Sequence, residues 1–196
     1  MARRRDLVDQ QQRLSAATWS VLAERGLPGL TLRAVAERAG CTTGMVLHTF
    51  ADKQALLVHA RELLHRRTGQ RADAAQVAAD TPRAALRAVL WQAASPTEEK
   101  REEARVWLGF LAAALADPVL ADLHRSYNRR FVDRVAALVA AVCPDRPSAD
   151  CRATATSLVA LVEGLNALAA VDPATYSDQA QRSAIDTALA RLDTRA

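Results

Sequence analysis

Cysteine is scarce in this 196-residue chain, and apolar runs are short. The three cysteines, Cys41, Cys143 and Cys151, form no CxxC pair, which argues against a disulfide framework or a zinc site and for a reducing compartment. The longest apolar stretch, 106–116, is well short of the roughly 20 residues that a membrane span needs. The N-terminus, MARRRDLVDQQQ, lacks the apolar segment of a signal peptide. We therefore expect a cytoplasmic protein with no metal, no cofactor and no membrane partner.

Glycine and proline are also infrequent, with seven of each, whereas alanine occurs 43 times. Apolar residues recur at spacings of three and four, and no useful stretch alternates at a period of two. Half of the residues are hydrophobic, which is enough for a packed core. The sequence predicts an all-α fold with about nine helices.

Capping and turn residues predict the helix boundaries. Gly26 and Pro28 should end the first helix, Gly40 should end the second, and Gly69 leaves the end of the fourth uncertain. Asp52, Thr81 and Ser95 are expected helix starts. The predicted helices cover 5–25, 32–39, 43–50, 52 to about 71, 82–93, 95–116, 118–142, 149–171 and 178–192. We place a helix-turn-helix domain at 1–51 and a helical bundle at 52–196, connected by the fourth helix.

Charge is unevenly distributed along the chain. Residues 1–71 carry 12 basic and 6 acidic side chains, a net charge of +6, whereas residues 72–196 carry 14 and 16, a net charge of −2. Lysine occurs only at Lys53 and Lys100, so 24 of the 26 basic residues are arginines. A basic first third suggests a module that binds a polyanion, joined to a second part.

Two short helices joined by a glycine turn lie inside this basic region, as in a helix-turn-helix. Ala36 is small where the helices would cross, and Gly40 stands where the chain reverses. Val46 would pack back onto the pair, with Val35 and Phe50 completing a small core. An ordinary helical hairpin could show the same spacing, so this pattern alone leaves both interpretations open.

The stretch TLRAVAERAGCTTGMVLHTFADKQALL resembles the DNA-binding domain of TetR-type transcriptional regulators. Two positions depart from the family pattern, because the family commonly has Tyr at Leu47 and an aromatic residue or His at Thr49. His48, in LHTF, is similar to the BetI-type branch, as are EARVWLGFLAAALADPVLADLHRSYNRR and LVALVEGLNALAAVDP. The matching positions of the first stretch are Thr31, Ala36, Gly40, Thr42, Gly44, Phe50, Lys53 and Leu56.

The resemblance implies a double-stranded DNA operator as partner. Threonines at the two helix starts and Lys53 would contact phosphate, and residues of the second helix would face base edges. The predicted DNA-binding residues are Thr31, Arg33, Thr42, Thr43, Met45, Leu47, His48, Thr49 and Lys53. Thr42 could instead be only a helix cap and His48 only a surface residue. Residues 3–5, three arginines, would form an arm on DNA or a solvated terminus.

The resemblance also implies a pocket for an unknown small-molecule effector in helices 5 to 7. Candidate ligand-binding residues are Trp91, Trp107, Phe110, Leu111, Tyr127 and Asn166, with core packing as the alternative for each aromatic residue. Arg87, one turn before Trp91, could form a cation–π pair with its ring.

Helix 8 is apolar on more than one stripe, which predicts burial on two sides and a homodimer through a two-fold interface. The predicted dimer contacts are Leu158, Val162, Gly164, Leu165 and Leu168. The acidic residues at 98, 99, 102 and 103 are expected on a solvated face with neighbouring basic residues.

No catalytic constellation emerges, since the four histidines are scattered and no glycine-rich phosphate loop is present. A ligand-responsive repressor that binds a near-palindromic operator is the favoured function. A DNA-binding activator or architectural protein without a ligand stays open, as does a helical enzyme or interaction module that does not bind DNA.

Overall fold

The computed structural model describes the backbone of residues 2–94 and 98–192 and the side chains of residues 9–94 and 100–192. Over these ranges the chain forms nine α-helices and no strand, which confirms the all-α prediction. None of the described helices combines the length and hydropathy needed to cross a bilayer. The helices are α1 (Ala2–Gly29), α2 (Leu32–Ala39), α3 (Thr43–Thr49), α4 (Lys53–Val77), α5 (Pro82–Ala93), α6 (Glu98–Ala114), α7 (Pro118–Val142), α8 (Ser148–Ala169) and α9 (Asp178–Ala190).

Several helices begin at the caps that the sequence predicts. The Thr31 hydroxyl accepts a hydrogen bond from the Ala34 amide, and the Thr81 hydroxyl accepts one from the Ala84 amide, each at 3.1 Å. Such a cap satisfies a backbone donor that has no partner within the helix. The cap predicted at Ser95 lies outside the described residues.

The largest differences from the predicted helix ends are in α1 and α4. α1 spans Ala2–Gly29, but Gly26 has φ 63° and ψ −173°. The regular helix is therefore interrupted at Gly26, as expected. α4 continues through Gly69 to Val77, six residues beyond the predicted end. A glycine inside a helix costs only about 1 kcal/mol relative to alanine, and the alanine-rich residues after it favour the helix.

The chain divides into two compact units. Unit 1 contains Met1–Arg66 and Val106–Leu123, and unit 2 contains Arg67–Arg105 and His124–Ala196. Unit 1 therefore includes the first half of α4 and the second half of α6. The core of unit 1 is formed by Leu14, Ala17, Val21, Leu22, Leu30, Ala34, Val35, Ala36, Val46, Phe50, Leu56, Ala60, Leu64, Val106, Phe110 and Leu120.

Unit 2 is built around α8, which packs with α5 and α9. Arg87 on α5 donates to both oxygens of Asp186 on α9, at 2.8 and 2.6 Å. The Arg87 guanidinium also lies 3.8 Å from the centre of the Trp91 ring, which confirms the predicted cation–π contact. A second guanidinium, that of Arg182, lies 4.6 Å from the same ring.

The solvated acidic face predicted near the start of α6 is wrong for Glu103. This residue is only 6% exposed, and its carboxylate is bound by arginines of α4. The prediction failed because the contact joins Glu103 to arginines of another helix, and Arg71 lies 32 residues away along the chain. The side chains of residues 98 and 99 lie outside the described residues.

Candidate nucleic-acid interface

The turn between α2 and α3 has the geometry of a helix-turn-helix. Gly40 adopts φ 64° and ψ 39°, a left-handed conformation that glycine tolerates best, and its amide bonds back to the end of α2. The Thr42 hydroxyl then accepts a hydrogen bond from the Met45 amide at 3.3 Å and starts α3. Val46 is completely buried and Ala36 is 3% exposed. Both residues are thus in the core, where the spacing of Ala36, Gly40 and Val46 in the sequence predicted that the two helices would pack.

The outer face of α3 is almost entirely exposed. Val46 is its only buried residue, while Met45 is 44% and Leu47 is 45% exposed. His48 and Thr49 are exposed as well. Because the other side chains of this helix are exposed, they are available to a partner.

The other predicted DNA-binding residues are also at the surface. Thr31, Arg33, Thr42, Thr43 and Lys53 are all exposed, and Lys53 is the first residue of α4. The Thr31 and Thr42 hydroxyls each cap a helix, so each has a structural role whether or not it also contacts phosphate. The arginine side chains of the predicted arm at residues 3–5 lie outside the described residues.

An ion pair between Arg38 and Glu24 connects α2 to α1. Arg38 donates to Glu24 Oε1 at 2.6 Å and also contacts the other carboxylate oxygen and Ser20. This guanidinium holds the pKa of Glu24 below its ordinary value. Arg13 on α1 adds a hydrogen bond to the carbonyl of Ala39, the last residue of α2, at 3.1 Å. α2 is thus held in place by contacts on the side of α1.

His59 contacts Phe50 at the end of α3 and is itself hydrogen-bonded to α1. The rings of Phe50 and His59 are 4.8 Å apart, and His59 Nε2 is hydrogen-bonded to Ser15 Oγ at 3.0 Å. Burial lowers the pKa of His59 below 6.5, the positive charge of Arg66 lowers it further, and Glu62 opposes the shift. The sequence did not identify this contact, because Ser15 and His59 are 44 residues apart.

The lowered pKa of His59 predicts a loss of stability in mild acid. The unfolded chain takes up a proton on His59 more readily than the folded chain does. The contribution of neutral His59 to the free energy of unfolding is therefore present above about pH 6.5 and is lost as the pH falls through the folded pKa. Thermal melts between pH 7.5 and 5.5 should therefore show a falling midpoint. His59→Gln should flatten this dependence, whereas His48→Gln, at an exposed site, should retain the wild-type slope. Equal slopes in all three proteins would contradict the assignment to His59.

The predicted effector-binding residues divide between the units. In unit 1, Phe110 is 3% exposed and belongs to the core, and Trp107 packs against that core. In unit 2, Trp91 packs against the second core, and Asn166 Nδ2 donates to the Ala93 carbonyl at 2.6 Å. Core packing thus accounts for Phe110, while Leu111 and Tyr127 are half-buried.

Three of the predicted dimer contacts lie inside the protomer. Leu158, Val162 and Leu165 are between 1% and 8% exposed and belong to the core of unit 2. They offer little surface to a partner, and their place at a dimer interface stays a prediction. Leu168 is 48% exposed, and a Cβ added at Gly164 would meet no atom within 4 Å.

Comparison with known proteins covers both parts of the chain. The family described as "Bacterial regulatory proteins, tetR family" matches residues 14–60, and "BetI-type transcriptional repressor, C-terminal" matches residues 82–194. The "HTH-type transcriptional regulator BetI" of Burkholderia mallei is 36% identical over 168 residues, covering 83% of this chain and 79% of that protein. The corresponding protein of Burkholderia thailandensis is 35% identical over 164 residues, with the same coverage.

Solved structures share the fold. A transcriptional regulator from Rhodococcus sp. RHA1 has a TM-score of 0.82 and 29% identity, covering 93% of this chain and 95% of its own. A transcriptional regulator from Saccharomonospora viridis, solved in complex with choline, also has a TM-score of 0.82, with 20% identity and coverage of 92% and 95%.

A helix-turn-helix with an exposed second helix, in the basic part of an all-α chain, is the architecture of a DNA-binding transcriptional regulator. The relatives are likewise regulators and not enzymes. The chain belongs to the TetR family and carries a BetI-type C-terminal domain.

Proposed function

We propose that this regulator is a ligand-responsive repressor that binds a near-palindromic operator as a homodimer. The observation that carries the proposal is the outer face of α3, where Met45 and Leu47 are nearly half exposed on a helix whose only buried residue is Val46. Exposed apolar side chains next to capping threonines and a lysine fit the major groove, where thymine methyl groups are apolar targets.

The exposed residues divide into two chemical groups. Thr31, Thr42, Thr43 and Lys53 offer hydroxyl and ammonium donors at helix starts, which suits phosphate. On α3, Met45, Leu47, His48 and Thr49 present side chains of the kind that read base edges. Arg33 could reach either a phosphate or a guanine. The first group would position the protein on DNA, and the second would determine its sequence preference.

The dimer proposal is supported by the surface of α8. Leu168 is 48% exposed, the half-buried Gly164 lies one turn before it, and Val171, just after the helix, is 83% exposed. The glycine permits close approach of a second helix, and burying the two apolar side chains would stabilise it. A two-fold axis would place two α3 helices in successive major grooves, about 34–36 Å apart.

The response to a ligand would follow from a second conformer of the dimer, in which the separation of the two α3 helices no longer matches successive major grooves. An effector can shift the balance only by its difference in affinity for the two conformers. The relative from Saccharomonospora viridis binds choline, but at 20% identity it supports the fold and not the effector of this chain. The half-buried residues remain candidates to contact an effector, Trp91, Tyr127 and Asn166 in unit 2 and Trp107 and Leu111 in unit 1.

A gel shift with DNA from the protein's own upstream region tests the DNA-binding proposal. Lys53→Ala should weaken binding to every sequence by roughly fivefold at 0.15 M salt and reduce the salt dependence by about one phosphate contact. His48→Ala should instead alter preference at one base position, where a base contact contributes about 1–3 kcal/mol. Arg152→Ala, at an exposed ion pair on α8, is the matched control and should leave binding unchanged.

Two results would contradict this proposal. Absence of a shift at low salt, where phosphate contacts are strongest, would exclude operator binding by the protein. An unchanged affinity of Lys53→Ala would exclude the docking of α4 on phosphate. Footprints of two half-sites separated by one helical turn would support the dimer, and a single half-site would argue against it.

A further inference from the structure

We propose that Asp117, in the turn between α6 and α7, is a positioning residue for DNA binding and acts by holding the first turn of α4 through Gln54. Gln54 directly follows Lys53, and the proposal rests on the phosphate contact that is proposed above for Lys53. All three residues belong to unit 1. Neither Gln54 nor Asp117 is among the DNA-binding residues predicted from the sequence.

One carboxylate oxygen of Asp117 accepts three hydrogen bonds. Two come from the backbone amides of Val119 and Leu120, at 2.9 and 3.1 Å from Oδ1, and they cap the start of α7. The third comes from Gln54 Nε2, at 3.2 Å from the same oxygen. The Leu120 amide lowers the pKa of this carboxyl, burial opposes the shift, and the Gln54 and Val119 donors lower the pKa further. The carboxylate is therefore ionised at neutral pH, and the helix that it caps fixes its orientation.

The contact with Asp117 also orients Gln54. A carboxylate oxygen can only accept hydrogen bonds, so the amide nitrogen of Gln54, and not its oxygen, faces Asp117. A hydrogen bond to an ionised acceptor is stronger than one between neutral groups. Gln54 is half-buried and lies in the first turn of α4. A charge-assisted contact of its side chain therefore restrains that turn.

Both ends of the contact are attached to one core. Leu56, two residues after Gln54, is completely buried, and Leu120, three residues after Asp117, is 2% exposed. Both leucines belong to the core of unit 1. The hydrogen bond thus joins two segments that the same core holds, and Asp117 gives the start of α4 a fixed point of attachment.

The first turn of α4 carries Lys53, and its position decides where the ammonium group can meet a phosphate. The first amides of a helix lack partners within the helix, and helix ends fray. Asp52 Oδ1 accepts a hydrogen bond from the Ala55 amide at 2.8 Å, but this cap lies within the same segment of chain. It keeps the turn helical without fixing where the turn lies in unit 1. The Gln54–Asp117 hydrogen bond joins residues 63 positions apart and supplies that second restraint.

A carboxylate that only neighbours the DNA would have the opposite effect. Removing an acidic side chain close to a phosphate contact reduces like-charge repulsion, so operator binding would become tighter. Removing a positioning carboxylate leaves the start of α4 less restrained, so operator binding becomes weaker. The sign of the change in operator affinity therefore separates the two roles of Asp117.

Fluorescence anisotropy of the full-length protein with a labelled operator fragment provides the test. Gln54→Ala should weaken operator binding by about fourfold, because it removes a charge-assisted hydrogen bond. Gln76→Ala, at an exposed position near the other end of α4, is the matched control and should bind as the wild type does. In a protein that already carries Lys53→Ala, Gln54→Ala should change affinity by less than about 1.5-fold, because residues that act through one contact are not additive. A purely structural role of Gln54 would give the full loss in both backgrounds.

Two substitutions at Asp117 separate its contact with Gln54 from its role as a cap. Asp117→Ser keeps a capping oxygen for α7, but that oxygen lies one bond closer to the backbone, so the contact with Gln54 is lost. We expect this variant to bind the operator about fourfold more weakly. Asp117→Asn keeps both the cap and an acceptor for Gln54, and its affinity should stay within about twofold of the wild type.

Three results would each overturn the positioning role: tighter binding by Asp117→Ser, unchanged binding by Gln54→Ala, or equal effects of Gln54→Ala with and without Lys53. If circular dichroism shows that Asp117→Ser does not fold, the Gln54→Ala comparison decides, since that substitution leaves the α7 cap intact. An unchanged affinity of Lys53→Ala would overturn the proposed phosphate contact and this role with it. Weaker binding by Lys53→Ala, together with wild-type binding by the Gln54 and Asp117 variants, would overturn the positioning role alone.

Discussion

Replacing Leu47 by glutamate should lower operator affinity by at least about 100-fold, because like charges brought together across an interface cost several kcal/mol. Leu47 is 45% exposed on the outer face of α3, so the new carboxylate would disturb no core contact in the free protein. On DNA it would lie near phosphates and lose its apolar contact with base edges. Fluorescence anisotropy with a labelled operator fragment measures the loss.

Leu115→Glu is the matched control for this change. Leu115 also belongs to unit 1 and is 90% exposed, but it lies after α6 and away from α3 in the sequence. We expect its operator affinity to stay within twofold of the wild type at about 0.15 M salt, since exposed charges beyond a Debye length are largely screened. Equal losses in both variants would show a general charge effect and would remove Leu47 from the interface.

Replacing Phe50 by alanine should lower the free energy of unfolding by about 3–5 kcal/mol. Phe50 is 6% exposed, ends α3 and contacts the His59 ring. The truncation removes apolar contacts from the core of unit 1 and leaves a cavity beside α3. Urea unfolding followed by circular dichroism measures the change, and operator binding should weaken in parallel as α3 loses its support.

Leu115→Ala provides the reference for a truncation at the surface. Because Leu115 is 90% exposed, its removal should change the free energy of unfolding by no more than about 0.5 kcal/mol. A Phe50→Ala protein as stable as Leu115→Ala would mean that Phe50 does not fill the core of unit 1. A destabilised protein with unchanged operator affinity would mean that α3 does not depend on Phe50.

The helix-turn-helix could be predicted because its determinants are local. Thr31 and Thr42 each cap the helix that begins at the next residue by accepting a hydrogen bond from the amide three residues downstream, and Gly40 allows a backbone conformation that other residues rarely adopt. Val46 and Ala36 are only ten residues apart, so their burial in the same core follows from the turn. Exposure of Met45 and Leu47 follows in turn, because Val46 must face inward.

Features that depend on distant parts of the chain could not be predicted. In the sequence, Glu103 appeared to belong to a charged surface stretch. In the structure it is bound by Arg71, which lies 32 residues away along the chain, and a contact over that separation cannot be predicted from local sequence. The Ser15–His59 contact has the same origin. Apolar periodicity marked Leu158, Val162 and Leu165 as buried, but it could not distinguish burial within the protomer from burial against a partner.

The exposure of all but one residue of α3 has a consequence for how operator preference can change during evolution. Since Val46 is the only buried residue within this helix, substitutions at Met45, Leu47, His48 and Thr49 should each alter stability by no more than about 0.5 kcal/mol. Mutational drift at these four positions is thus buffered from the folding equilibrium. Gene duplicates of such a regulator could diverge in target sequence while the scaffold stays unchanged, so specificity and foldability are under separate selection.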